Sequence, residues 1–271
     1  MRTQRPDRVG VEVGYVYRRR RLTVALRDLL VIPHVVILVF LGIASGLGAV
    51  IGWFAALVLG RLPAWAVGLQ CGVLAWQIRV LAYGALLVDR YPPFRWKQDE
   101  SYPVRLRLAP GRLNRLAVLF RIVLVIPAAI VGALAMAGVE VLSVLLWVFL
   151  VVGGRMPRSL FQALASVIRY YTRLHAYGLL LLTATYPSGL FAEPLLIGGW
   201  AEPVPGHGPG PFAGGSPWSA APVELSGAAK ALVGVCLVAG VAASTGSGVG
   251  DANADAAQLP TQPTIGHSST P

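Results

Sequence analysis

Two arginine–tyrosine pairs carry the residue types best suited to binding chemistry. Arg79 with Tyr83 and Arg173 with Tyr177 are spaced i, i+4, which on a helix places a guanidinium and a phenol on one face. A forked guanidinium donor suits a phosphate, such as the headgroup of an anionic lipid. The competing reading is structural, with the arginine snorkelling to a membrane interface and the tyrosine standing in an aromatic belt. Chemistry beyond binding has little material. His34, His175, His207 and His267 are scattered, and Cys71 and Cys236 form no ligand spacing. No nucleophile elbow, phosphate loop, dinucleotide fingerprint or zinc-protease helix is present. No catalytic residue, cofactor or metal is expected, and the chain is read as not an enzyme.

The elements that must position those pairs are dominated by apolar sequence. Of 271 residues, 55% are hydrophobic and 13% charged, and the mean hydropathy is +0.64. A soluble domain carries about 25% charged residues, so the composition is that of an integral membrane protein. The net charge of +11, beside long apolar runs, points to anionic lipid rather than to nucleic acid.

A repeat organises the chain. Arg27 to Pro33 recurs as Arg121 to Pro127, 94 residues later, and the offset persists through Trp53/Trp147, Gly60-Arg61-Leu62-Pro63/Gly154-Arg155-Met156-Pro157 and Arg79/Arg173. One inserted residue then sets Tyr91-Pro92 opposite Tyr186-Pro187. Each copy opens on alternating residues, Val9 to Tyr17 and Val104 to Leu108, a period that predicts strands able to pair with each other. A basic turn follows (Arg18 to Arg21; Arg112, Arg115), then an apolar run of about 32 residues (29–60 and 122–153) and a third segment (64–88 and 158–184). A Pro/Gly-rich stretch over 192–227 reads as a linker. The segment 228–250 is just long enough to span a bilayer.

Charge placement constrains the crossings. Eight arginines precede Leu29 and eight basic residues lie in 89–121, so both regions belong on the cytoplasmic side and the number of crossings between them is even. That parity makes the repeats parallel. Either each long run is a helical hairpin, turning at Gly42 to Gly48 and near Glu140, or it spans once and the third segment returns. The hairpin is favoured, because it moves Glu140, the one acid in either run, to a headgroup layer. The third segment of repeat two then lies on the interface as an amphipathic helix, with Phe161, Leu164, Ile168 and Tyr171 on one face and Gln162, Ser166, Arg169 and Arg173 on another. The first run has an internal counterpart, so it is read as structural rather than as a cleaved signal. Gly48/Gly52 and Gly68/Gly72 permit close helix approach, within the chain or in a homo-oligomer.

Several phrases together carry a family resemblance: Tyr102-Pro103-Val104-Arg105-Leu106, Arg112-Leu113-Asn114-Arg115-Leu116, Phe120-Arg121 with Ile126-Pro127, Gly60-Arg61-x-Pro63, and Leu86-x-x-Asp89-Arg90-Tyr91-Pro92-Pro93-Phe94. In this order they resemble a bacterial membrane family catalogued as domain of unknown function 4389, over about residues 20–191 in two copies. The resemblance implies a bacterial membrane location and supplies no chemistry. Repeat two departs from it, with Thr183-Ala184-Thr185-Tyr186-Pro187-Ser188 in place of the Asp-Arg-Tyr-Pro-Pro motif.

The resulting expectation is an all-α integral membrane protein. It has a basic cytoplasmic arm with a short strand (1–21), two tandem parallel repeats (22–94 and 95–191), the linker, a C-terminal transmembrane helix (228–250) and a disordered tail (251–271). The expected location is the bacterial inner membrane, multi-pass, with the N-terminus cytoplasmic and the tail outside. The expected role is structural or adaptor-like, with a basic inner face for anionic lipids and protein partners and Arg79, Tyr83, Arg173 and Tyr177 as headgroup candidates. The alternative is a transporter or channel subunit for a small solute.

Overall fold

Each long apolar run folds as one uninterrupted helix. In the structure, a computed structural model that describes residues 9–15, 21–96, 101–108, 113–187, 189–191, 195–199 and 220–257, α2 covers Arg27–Leu59 and α4 covers Arg115–Gly153. The short α1 (Arg21–Ala25) precedes α2. The expected hairpins do not form: Gly42 to Gly48 and Gly138 to Glu140 are helical throughout. Turn-prone glycines yield here because leucine, valine and alanine on either side propagate the helix. Both long helices end where the repeated Gly-Arg-x-Pro motif demands it. Gly60 (φ 68°) and Gly154 (φ 62°) take the left-handed cap conformation. Pro63 and Pro157 then open α3 (Ala64–Gly84) and α5 (Arg158–Gly178). The short turns send α3 back along α2 and α5 back along α4.

Among the described residues, four stretches are long and apolar enough to cross a membrane: Arg27–Leu59, Ala64–Gly84, Arg115–Gly153 and Gly227–Ser244. The last is the first part of α6, which runs on to Ala257, beyond the expected boundary at 250. α5 is different. It forms as expected, yet its polar face is not at an interface: Gln162, Ser166, Arg169 and Arg173 are buried together with Phe161, Leu164 and Ile168. α4, α6, α3 and strands β1 and β3 surround it, so the amphipathic pattern serves an interior helix with polar neighbours.

The two alternating segments pair as expected. β1 (Gly10–Tyr15) and β2 (Val104–Arg107) are antiparallel, with Gly10 opposite Arg107 and Val13 opposite Val104. Two further strands come from the ends of the Pro/Gly-rich stretch. β3 (Leu195–Gly199) runs parallel to β1, and β4 (Ala220–Val223) closes the order β2-β1-β3-β4. Tyr17, Arg18 to Arg20, Arg112, residues 200–219 and the tail beyond 257 lie outside the described residues.

The repeats are related by a two-fold, with their long helices antiparallel. The Trp53 indole, near the end of α2, donates to the Val118 carbonyl at the start of α4 (3.0 Å), while the Trp147 indole, near the end of α4, donates to the Val24 carbonyl ahead of α2 (2.9 Å). Trp53/Trp147 and Val24/Val118 are equivalent pairs at the 94-residue offset, so the second bond is the first with the copies exchanged. The β1–β2 register obeys the same exchange. α2 and α4 are therefore antiparallel and touch at both ends. Three layers result: α2 with α4, then α3 with α5, then the sheet, which rests on α3 and α5.

Candidate functional site

The third segments do not pair their own arginine and tyrosine. Tyr83 is capped instead by Arg27 of α2, whose guanidinium lies 4.5 Å from the ring centroid. Arg121 of α4 lies 4.4 Å from the ring of Tyr177 in the same way. Arg27 also donates to the Tyr83 carbonyl and pairs with Asp89 at 3.1 Å. Arg121 donates to the Thr183 carbonyl at 3.0 Å, and among the described residues no carboxylate pairs with it. Residue 184, equivalent to Asp89 after the one-residue insertion, is alanine.

Arg79 and Arg173 hold the chain that leaves each helical pair. Arg79 donates to the Arg95 carbonyl (2.6 Å) and Arg173 to the Gly189 carbonyl (3.1 Å), each sixteen residues further on. All four sequence candidates, Arg79, Tyr83, Arg173 and Tyr177, are buried. The turns they brace are unusual in the same way. Leu86 (φ 64°) and Leu181 (φ 53°) take the left-handed conformation that favours glycine. Burial of both leucine side chains offsets that cost.

The Asp-Arg-Tyr-Pro-Pro-Phe motif is thus a clasp. Asp89 engages Arg27, and Tyr91 and Phe94 lie against the His34 ring, Phe94 stacked at 4.1 Å. The Tyr102 hydroxyl closes the loop by donating to the Arg90 carbonyl at 3.0 Å. Burial pushes that phenol well above its usual range, so it stays a donor. His34 meets Trp76, whose indole donates to its Nδ1 at 3.2 Å. In repeat two the equivalent contact is Tyr170 donating to the Ala128 carbonyl at 3.0 Å. The glycines work inside the chain: a Cβ on Gly48 or Gly52 would meet Leu69 or Leu62, and one on Gly72 would meet Trp96. Gly68 faces open space.

Besides Arg90, Arg95 and Arg107, exposed arginines lie at the ends of the long helices. A recess of about 370 Å³ is lined by Leu59, Gly60, Arg61 and Leu113, and the Arg115 guanidinium approaches the same Gly60. Arg61 and Arg115 are both exposed there, beside the start of α4, where Asn114 caps the Leu116 amide at 3.0 Å. A phosphate would meet two guanidinium groups and the positive end of a helix. The opposite end of the molecule exposes Arg155 and Arg158. A second cleft of about 330 Å³ opens between α2, α3 and the end of α5, lined among others by Ser45, Gln77 and His175. Burial lowers the His175 pKa and favours its neutral form, a shift opposed by its hydrogen bond with the Tyr171 carbonyl. Sequence reasoning passed over Arg27, Arg121 and the meeting of Arg61 with Arg115. The first pair carried a signal, since both arginines recur at the repeat offset.

The family described as domain of unknown function (DUF4389) matches the chain at residues 21–95 and 115–190. These segments coincide with the two helical pairs and their clasps, and they leave out α6. No curated protein and no solved structure matches the chain. The chain belongs to the DUF4389 family, in two copies, and is a membrane-associated, repeat-containing helical protein.

Proposed function

From that membership, we propose that this protein is a structural or adaptor protein of the bacterial inner membrane, with no enzymatic step. It holds anionic lipid at its rim and offers its sheet face to protein partners. The observation that carries the reading is the position of the exposed arginines. Arg61 and Arg115 at one end, and Arg155 and Arg158 at the other, border an apolar layer in which α2 exposes Phe40, Leu47 and Phe54 and α4 exposes Ile122, Leu145 and Phe149. Headgroup binding therefore falls to the exposed rim, and the buried Arg79 and Arg173 act as braces for the clasps. Each rim arginine near an anionic surface contributes about 1 kcal/mol. Purified protein with Arg61, Arg115, Arg155 and Arg158 changed to alanine should retain several-fold less phosphatidylglycerol than wild type, with phosphatidylethanolamine unchanged. Equal phosphatidylglycerol in both preparations would refute the lipid part of the proposal.

The transporter reading draws on one feature, the two-fold relation of the repeats, since many transporters are built from internal repeats related by such an axis. Solute flux in proteoliposomes that disappears when the cleft is filled by Ser45→Phe would favour it over the adaptor role.

A further inference from the structure

We infer that the protein lies in one leaflet of the bilayer, with its long helices parallel to the membrane plane, and does not cross it. The inference rests on the membrane reading above. The two-fold relation restricts how the molecule can sit. α2 and α4 are antiparallel and joined at both ends through Trp53–Val118 and Trp147–Val24. If they stood upright, the axis would lie in the membrane plane and the middle of the molecule would sit at the bilayer centre.

The sheet occupies that middle. Leu106 and Leu108 of the β2 segment lie over Gly68, Cys71, Gly72 and Ala75, the central turns of α3. An upright molecule would therefore hold Arg105, Arg107 and Glu12, which pairs with Arg107, near the hydrocarbon centre, with Arg107 61% exposed. A charge facing hydrocarbon at that depth is strongly disfavoured. The chain between Asp89, beside Arg27 at one end of α2, and Leu113, bonded to Gly60 at the other, would also have to run through the bilayer. That stretch exposes Arg90 and Arg95 as well.

Turning the axis along the membrane normal removes each conflict. The sheet then faces water, α3 and α5 form the middle layer, and α2 with α4 sinks into the acyl chains. The exposed large apolar side chains of the helices follow this division. They crowd α2 and α4, with Leu22 on α1, Trp65 in the first turn of α3 and Val235, Val238 and Val241 on α6; among the described side chains α5, β1 and β2 contribute none. Arg61 and Arg115 at one end and Arg155 and Arg158 at the other then reach the same headgroup layer, whereas an upright molecule would place them on opposite sides, against the usual charge asymmetry. Zero crossings is an even number, so the basic regions share one side as their charge requires. An apolar helical layer about 10 Å thick fits within one leaflet.

Single cysteines test this in a Cys71→Ala, Cys236→Ala background. Arg61→Cys, Arg155→Cys and Arg107→Cys should all react with an impermeant maleimide in inverted inner-membrane vesicles and none in intact spheroplasts. Reaction of Arg61→Cys and Arg155→Cys from opposite sides would overturn the inference. Depth is an independent readout at lipid-facing positions outside the core. Bimane on Leu29→Cys, Ile43→Cys or Val58→Cys, which share one exposed face of α2, should be quenched at one common depth in vesicles of brominated phosphatidylcholine and phosphatidylglycerol. An upright helix would place Ile43 about 20 Å deeper than either end, and that result would also overturn it. Alkaline carbonate extraction separates the two ideas: release into the aqueous fraction would overturn membrane anchoring itself, while retention with opposite-side labelling overturns the orientation alone.

Discussion

Arg27 and Arg121 occupy equivalent places over Tyr83 and Tyr177, yet one faces a carboxylate and the other a carbonyl. Removing one partner of a buried ion pair leaves a charge without compensation, at a cost of about 3 kcal/mol. Asp89→Ala should therefore lower the unfolding temperature in detergent markedly. The reciprocal change restores in repeat two what repeat one has. Ala184→Asp should add about 1 kcal/mol of stability and so raise the unfolding temperature, and it should lose that gain when Arg121 is also changed to methionine. The repeat made both arginines visible in the sequence. Their tyrosine partners were not, because i, i+4 spacing suggested a neighbour on the same helix when the true neighbour lies 56 residues away.

At the scale of elements, the tightest contact joins α4 to α6. A Cβ on Gly138 would lie 1.7 Å from the Cys236 carbonyl, and one on Gly240 would lie 2.0 Å from the Leu134 carbonyl. Backbone cannot yield as a side chain does, so Gly138→Ala should cost at least about 1–3 kcal/mol and expose α6 to limited proteolysis. Gly234, also on α6, has open space around its Cβ position. Gly234→Ala should be neutral or slightly stabilising, which separates packing from helix propensity. The tryptophans that join the helix ends give a further test. Trp53→Phe and Trp147→Phe each remove one indole hydrogen bond worth about 1 kcal/mol, and the two-fold relation predicts nearly equal losses in unfolding temperature. Helix limits were legible because Gly-Arg-x-Pro punctuates both copies. The continuity of α2 and α4 was not, since the glycines near their centres read equally well as turns or as small helical residues.

For the whole molecule, composition and the 94-residue offset established a membrane protein built from two copies, with paired strands and a further apolar helix. These are properties of single residues and of their spacing, which a linear chain carries unaltered. The relation between the copies was decided only in three dimensions. Parallel and antiparallel arrangements use the same apolar stripes and the same charges, and nothing along the chain separates them. Contacts at the far ends of the helices decide, where Trp53 finds Val118, Trp147 finds Val24 and the β1–β2 register closes on itself. Those contacts join residues up to 123 positions apart. Their energies depend on which surfaces meet when the helical pairs pack, so only the tertiary structure could select the two-fold and the layered division of apolar helices from charged sheet that follows from it.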